Sequence, residues 1–164
     1  MVAKRRPIRS PIIWLGSILV LFALGAILAY RIWPHGVAGG IDAGSPELVA
    51  LGQGLYAKAC ASCHGVNLEG QADWRIRRAD GRLPAPPHDE TGHTWHHPDD
   101  QLFAMTKFGP AAFAGLDDYE SDMPAFEGVL SDREIRAVLA YIKSTWPAEV
   151  RARQDDIKRR TQQN

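Results

Sequence analysis

The stretch Cys60-Ala61-Ser62-Cys63-His64 is the most informative part of the sequence, and it contains both cysteines of the 164-residue chain. Two cysteines so close together close too short a loop for a disulfide that stabilises a fold. Their spacing is typical of a redox-active cysteine pair, of half a metal site, or of the sequence to which a c-type haem is attached. The histidine directly after Cys63 favours haem attachment.

Each of these three side chains has a defined role when a haem is covalently attached. The two thiols bond to the haem vinyl groups, and the adjacent histidine is thereby held against the iron as an axial ligand. The motif therefore predicts one covalent haem c, bound through Cys60 and Cys63, with His64 as a ligand of its iron.

Two other kinds of site remain as alternatives for the cysteine pair. A thioredoxin-like pair would be accompanied by a βαβ pattern, which the sequence does not show. A zinc site would need four ligands, and three later histidines could complete one: His93, His96 and His97.

Residues 12–33 are predicted to form a single transmembrane helix. The nineteen residues from Ile12 to Tyr30 carry no charge, and a helix of that length spans about 28 Å, close to the roughly 30 Å of a bilayer core. Residues 1–11 are basic, which predicts that they lie in the cytoplasm and that the chain after the helix lies in the periplasm, at the inner membrane of a bacterium. The alternative is a cleaved signal peptide, whose apolar core would be shorter, about 7–15 residues.

The chain after this segment divides into a linker, a domain and a polar tail. Residues 34–44 are rich in glycine and predict a flexible linker. Residues 45–147 are predicted to form the haem domain. Residues 148–164 are polar and charged, and we expect a frayed helix or a disordered tail there.

The haem domain is predicted to be all-α with long loops. Ser45-Pro46-Glu47 is a helix start, and the helix should continue to about Cys60. Residues 65–98 are rich in Gly, Pro, Asp and His and predict a long loop. A short helix should follow over 98–109, and residues 110–130 should be irregular. The capping box that begins at Ser131 predicts a last helix that ends at Pro147.

The overall charge argues against a nucleic-acid partner. The chain has 19 basic and 19 acidic residues. Residues 1–33 contain five of the basic residues and no acidic residue, so the remainder of the chain is acidic. Phosphate recognition needs a basic surface, and nucleic-acid binding is therefore not expected.

The sequence around the haem motif resembles the monohaem class I cytochrome c family. Gly52, Tyr56 and Cys60 follow one another at four-residue intervals, as in that family's Gly-x-x-x-aromatic-x-x-x-Cys helix, and Val138-Leu139-Ala140-Tyr141-Ile142 is similar to its C-terminal helix. The resemblance covers roughly residues 46–146. It implies the cytochrome c fold, a small helical bundle around one haem, here preceded by the transmembrane helix.

The resemblance also implies further residues around the haem. Met123-Pro124-Ala125-Phe126 is similar to the family's Met-Pro loop, which makes Met123 the expected sixth ligand of the iron. In the family, a proline carbonyl within a Gly-Pro-x-Leu-like segment accepts a hydrogen bond from the proximal histidine. Leu83-Pro84-Ala85-Pro86-Pro87-His88 occupies that place but departs from the pattern, so Pro86 is the first candidate and Pro84 the second.

Trp95 lies among the histidines at positions 93, 96 and 97. We expect it to pack on the haem macrocycle or a propionate, with those histidines at the surface. The alternative is a second metal site, for example for copper. His96 and His97 are adjacent and point apart on most backbones, which disfavours joint ligation.

These features together predict a membrane-anchored electron carrier rather than an enzyme. We expect it to pass single electrons between a donor and an acceptor redox protein and to have no small-molecule substrate. One alternative is a dedicated electron-transfer subunit of a membrane oxidoreductase complex. Another is a haem sensor whose distal ligand is displaceable.

Overall fold

The computed structural model describes residues 40–115, 119–161 and 163, and the regular secondary structure among them is helical, with no β-strand. The all-α class predicted from the sequence is therefore confirmed for the described residues. The predicted transmembrane segment 12–33 and most of the predicted linker lie outside them. None of the helices within the described residues is both long and apolar enough to cross a membrane.

The first helix, α1 (Pro46–Ala59), begins where the sequence predicts it. The Ser45 side chain accepts a hydrogen bond from the Leu48 backbone N–H, and Pro46 fills the first turn. The one-turn helix α2 (Ala61–His64) follows directly. The sequence around the haem motif is thus helical almost without interruption.

The predicted long loop is present between α2 and the next α-helix. It contains only one short 3-10 helix, Thr94–His96, before α3 (Asp99–Phe108) begins. A five-residue helix, α4 (Pro110–Ala114), lies in the stretch that we expected to be irregular, so that expectation was wrong there. Proline at its start and three alanines favour this turn of helix, and Gly115 in the left-handed region ends it.

The helix α5 (Asp132–Thr145) carries more buried apolar side chains than any other helix among the described residues. Its start is the predicted capping box: the Ser131 side chain accepts from the Glu134 backbone N–H, and the Glu134 carboxylate accepts from the Ser131 backbone N–H. The larger buried side chains of the core come from α1, α3, α5, the last helix and the loops: Ile41, Tyr56, Leu68, Leu102, Phe126, Ile135, Val138, Leu139, Ile142, Trp146 and Val150.

The helices α1 and α5 cross in close contact at Gly52. A Cβ atom on Gly52 would lie 1.9 Å from the Ala137 carbonyl oxygen and 3.0 Å from the Tyr141 Cβ. The two backbones can approach this closely only because Gly52 has no side chain. One turn further along α1, the rings of Tyr56 and Tyr141 pack with their centroids 5.4 Å apart.

The last helix, α6 (Ala148–Thr161), differs from the frayed or disordered tail expected from its polar composition. Val150 and Gln154 are buried. Gln154 donates hydrogen bonds to the His97 carbonyl at 3.1 Å and to Asp99 at 2.9 Å, which join α6 to the start of α3. The packing of a few buried side chains therefore orders a helix that its composition alone predicts only as frayed, or as disordered.

Asp99 is the centre of a buried ionic network. Its carboxylate accepts hydrogen bonds from the Lys143 ammonium of α5 at 2.6 Å and from the Lys158 ammonium of α6 at 2.9 Å. Burial would raise the pKa of Asp99, but the hydrogen bonds from Lys143, Gln154 and Lys158 outweigh it and lower that pKa. The network therefore holds three helices together only while Asp99 is ionised.

Because the folded-state pKa of Asp99 is lowered, its contribution to stability is complete above the unfolded pKa, near 3.9, and is lost as the pH falls through the folded pKa. We expect Asp99→Asn to reduce the free energy of unfolding at pH 7 by about 3 kcal/mol, because Lys143 then lacks its buried partner. Urea unfolding at pH 7 and pH 3 measures this. The wild type should lose more stability on acidification than the variant, and equal losses would contradict the assignment.

Candidate functional site

The haem motif folds as one continuous helical turn. The backbone N–H groups of Cys63 and His64 both donate to the Cys60 carbonyl, at 3.1 and 2.9 Å. Residues three and four apart are neighbours on a helix surface, so both thiols and the imidazole belong to one small region. Both cysteines are free thiols, Cys60 half-buried and Cys63 exposed.

His64 is buried and is held by a backbone carbonyl. Its Nδ1 lies 2.8 Å from the Pro86 carbonyl oxygen, and since a carbonyl only accepts, Nδ1 must donate. Burial lowers the pKa of His64, and the hydrogen bond to Pro86 opposes this in part. The ring is therefore neutral at pH 7, and Nε2 keeps its lone pair for a metal.

The chain around Pro86 is fixed from several sides. The Gln71 backbone N–H donates to the Ala85 carbonyl at 2.9 Å, and the Ala85 N–H donates to the Gln71 side chain at 3.0 Å. A Cβ on Gly70 would lie 2.4 Å from the Pro87 nitrogen, and one on Gly92 would lie 2.0 Å from the Pro87 oxygen. The hydrogen-bond acceptor of His64 thus belongs to a tightly packed segment. Of the two candidate prolines, Pro86 makes the contact.

Two side chains that we did not assign to the site also contact the haem-motif turn. The Tyr56 hydroxyl donates to the Gly65 carbonyl at 3.0 Å, and burial raises the pKa of this phenol well above its ordinary value. The ring of His88 stacks on that of His64 with centroids 3.9 Å apart. The four-residue spacing from Tyr56 to Cys60 could have indicated that the tyrosine lies near the haem motif. No sequence pattern indicated the position of His88, because its partner His64 is distant in sequence.

The described residues give no support to either alternative for the cysteine pair. Burial, with a smaller effect of Cys63, raises the pKa of the Cys60 thiol to about 11, whereas reactive cysteines have lowered pKa values. Within the part of the chain that the structure describes, no group of three or more His, Cys, Asp or Glu side chains is placed to hold a metal ion. Two free thiols and a neutral imidazole with a fixed tautomer do fit a covalently attached haem.

Met123 lies in the segment that leads into α5. It is half-buried against the hydrophobic core, and its backbone N–H donates to the Ser121 hydroxyl at 3.1 Å. The next turn of chain is firmly anchored, because Phe126 is buried and its N–H donates to the Lys107 carbonyl at 3.1 Å. Met105, the other methionine among the described residues, is also half-buried against the core.

An ion-pair network precedes Met123 in the chain. Arg78 contacts Asp122 at 2.8 Å, and Arg82 contacts Asp122 at 2.8 Å and Glu120 at 3.2 Å. A run of arginines in a loop is usually a solvated face. Arg78 and Arg82 are indeed about two-fifths exposed, with side-chain exposures of 41 and 39 %, but they also join the long loop to the Met123 segment. Exposed pairs of this kind contribute little stability each.

Trp95 and its neighbouring histidines form two separate stacks. The Trp95 ring stacks on His96 with centroids 3.6 Å apart, and its Nε1–H donates to the Glu90 carbonyl at 3.3 Å. His93 instead stacks on Trp74, at 5.3 Å. His93 and His96 are both exposed. These stacks and the absence of a metal-binding group among the described residues give no support to a second metal site.

Comparison with known proteins identifies one match. The family model for cytochrome c matches residues 49–146, which is more than half of the chain and includes the haem motif, the Pro86 segment, Met123 and all of α5. No curated protein and no solved structure matches the chain.

Proposed function

The chain belongs to the cytochrome c family, and on this basis we propose that it is a membrane-anchored carrier of single electrons whose haem iron is bound by His64 and Met123. Family membership implies one covalently bound c-type haem with its iron, and electron transfer as the general function. The strandless helical fold of the described residues agrees with it. The identity of the iron ligands, the membrane anchor and the redox partners are our proposals beyond family membership.

The hydrogen bond from His64 to Pro86 is the observation that carries this proposal. It fixes the tautomer in which Nε2 is free to bind a metal, and it fixes the direction of the Nδ1–H group. Bound there, the haem supplies one-electron chemistry between ferrous and ferric iron. Cys60 and Cys63 would hold it to the helical turn, while burial keeps the imidazole neutral and therefore able to remain a ligand.

The position of Met123 supports a filled sixth coordination site. The residue is half-buried against the core, and the neighbouring chain is anchored through Phe126. A thioether ligand raises the reduction potential, and two permanent ligands leave no open position for a small molecule. Such a site is suited to carrying electrons rather than to binding or transforming a substrate. Trp95 is proposed to pack at the haem edge.

The predicted helix over residues 12–33 supports the anchoring part of the proposal. With that helix in the inner membrane, the haem domain would lie in the periplasm, where c-type haem is attached and where donor and acceptor redox proteins can reach it. Membrane fractionation tests this part separately: haem staining should follow the membrane fraction of the full chain, and staining confined to the soluble fraction would contradict an anchor.

Carbon monoxide tests the filled coordination sphere. Carbon monoxide added to the reduced wild-type protein at pH 7 should leave the visible spectrum unchanged, because both axial positions are taken. Met123→Ala is the positive control and should bind carbon monoxide readily. Rapid and tight binding by the untreated wild type would contradict the carrier function and favour a haem sensor.

A further inference from the structure

The ring of His88 covers one face of the His64 ring. The two ring centroids lie 3.9 Å apart and the planes differ by 19°. The Tyr56 ring contacts His88 edge-on, with centroids 6.0 Å apart at 62°. The His64 ring thus contacts the Pro86 carbonyl at one edge and the His88 ring on one face.

The backbone of His88 is fixed on both sides. Its N–H donates to the Leu68 carbonyl at 2.8 Å, and its carbonyl accepts from the Trp146 Nε1–H at 2.7 Å. Trp146 is only 1 % exposed and belongs to the core. The stacked ring is therefore carried by a part of the chain that cannot shift without disturbing the core.

The His88 ring is held in place although one of its two nitrogens, Nδ1, is buried and has no hydrogen-bond partner among the described residues. Burying an unpaired polar nitrogen costs free energy that an apolar side chain would not incur. The position is also the one at which the Gly-Pro-x-Leu-like pattern places leucine, two residues after the proline. Histidine at this position therefore costs stability that leucine would not. A function that needs a flat ring, and that a branched aliphatic side chain cannot perform, would account for this cost.

The geometry supplies such a role. A single hydrogen bond at Nδ1 fixes the direction of the N–H group but leaves the imidazole free to rotate about that axis. The His88 ring, stacked parallel on the His64 ring, prevents this rotation. If the His64 ring rotated, one side of it would lose contact with His88 and the other side would clash with it. The hydrogen bond and the stack together define one ring plane.

We propose that His88 is a positioning residue that fixes the plane of the His64 imidazole, the proximal haem ligand. The inference rests on the proposed function, since it takes His64 as that ligand. The orientation of an axial imidazole determines how its π orbitals overlap with the iron d orbitals. The plane of His64 therefore sets the splitting of those orbitals, which the g values of the ferric protein report.

Two substitutions separate stacking from the mere filling of space. His88→Phe keeps a flat ring against His64, whereas His88→Leu fills the space with a branched chain. The low-spin ferric signal of the phenylalanine variant in frozen-solution electron paramagnetic resonance should match that of the wild type. The leucine variant should show a shifted largest g value and a broadened line. His93→Leu, which removes an exposed histidine stacked on Trp74 instead, is the matched control and should match the wild type.

A His88→Leu signal identical to that of the wild type in position and width would overturn the inference. If that variant does not fold with haem, a measurement on the wild type still tests the inference. Nuclear Overhauser contacts between the ring protons of His64 and His88 should be present in the ferrous protein. Their absence would overturn the inference. Failure of the proposed function would be recognised differently, because the wild type itself would then lack the low-spin ferric signal.

Discussion

Gly52→Ala should destabilise the protein severely. The new Cβ would lie 1.9 Å from the Ala137 carbonyl oxygen and 2.4 Å from its carbonyl carbon. These are backbone atoms of α5, so no side chain can rotate away, and α1 and α5 must move apart. We expect a loss in the free energy of unfolding at the upper end of the roughly 1–3 kcal/mol that overpacking costs. Urea unfolding followed by far-UV circular dichroism measures it.

Gly54→Ala is the matched control for this prediction. It changes the same residue type in the same helix, and a Cβ there would meet nothing within 4 Å. Alanine is favoured over glycine in a helix by about 1 kcal/mol, so this variant should be slightly more stable than the wild type. Equal effects of the two substitutions would show that α1 and α5 do not cross at Gly52.

The sequence predicted the helices whose ends carry local signals. Ser45-Pro46-Glu47 begins α1 and the Ser131 capping box begins α5, because capping depends on residues that are neighbours in the chain. The contact between His64 and Pro86 was also anticipated, since a family pattern placed a proline carbonyl there.

Contacts between distant residues that no family pattern describes were not predicted. The helix α6 is polar in composition, and its order depends on Gln154 and Lys158 meeting Asp99, more than fifty residues earlier in the chain. The pairing of Arg78 and Arg82 with Asp122 likewise joins two loops that no sequence pattern relates. The stack of His88 on His64 belongs to the same class.

The central claim of this account is that the haem iron is bound on both sides, by His64 and by Met123. The claim predicts that Met123 and Met105 behave differently, although both are half-buried against the core. Leucine has a volume close to that of methionine, so the change in packing caused by Met→Leu at either position should cost less than about 1.5 kcal/mol. Only at position 123 should the substitution remove a ligand.

The far-red absorption spectrum of the ferric protein tests this most directly. A thioether bound to ferric haem gives a charge-transfer band in that region. The wild type and Met105→Leu should show the band, and Met123→Leu should lose it entirely while it keeps its covalent haem. A wild type without the band, or a Met123→Leu variant that retains it, would contradict the account.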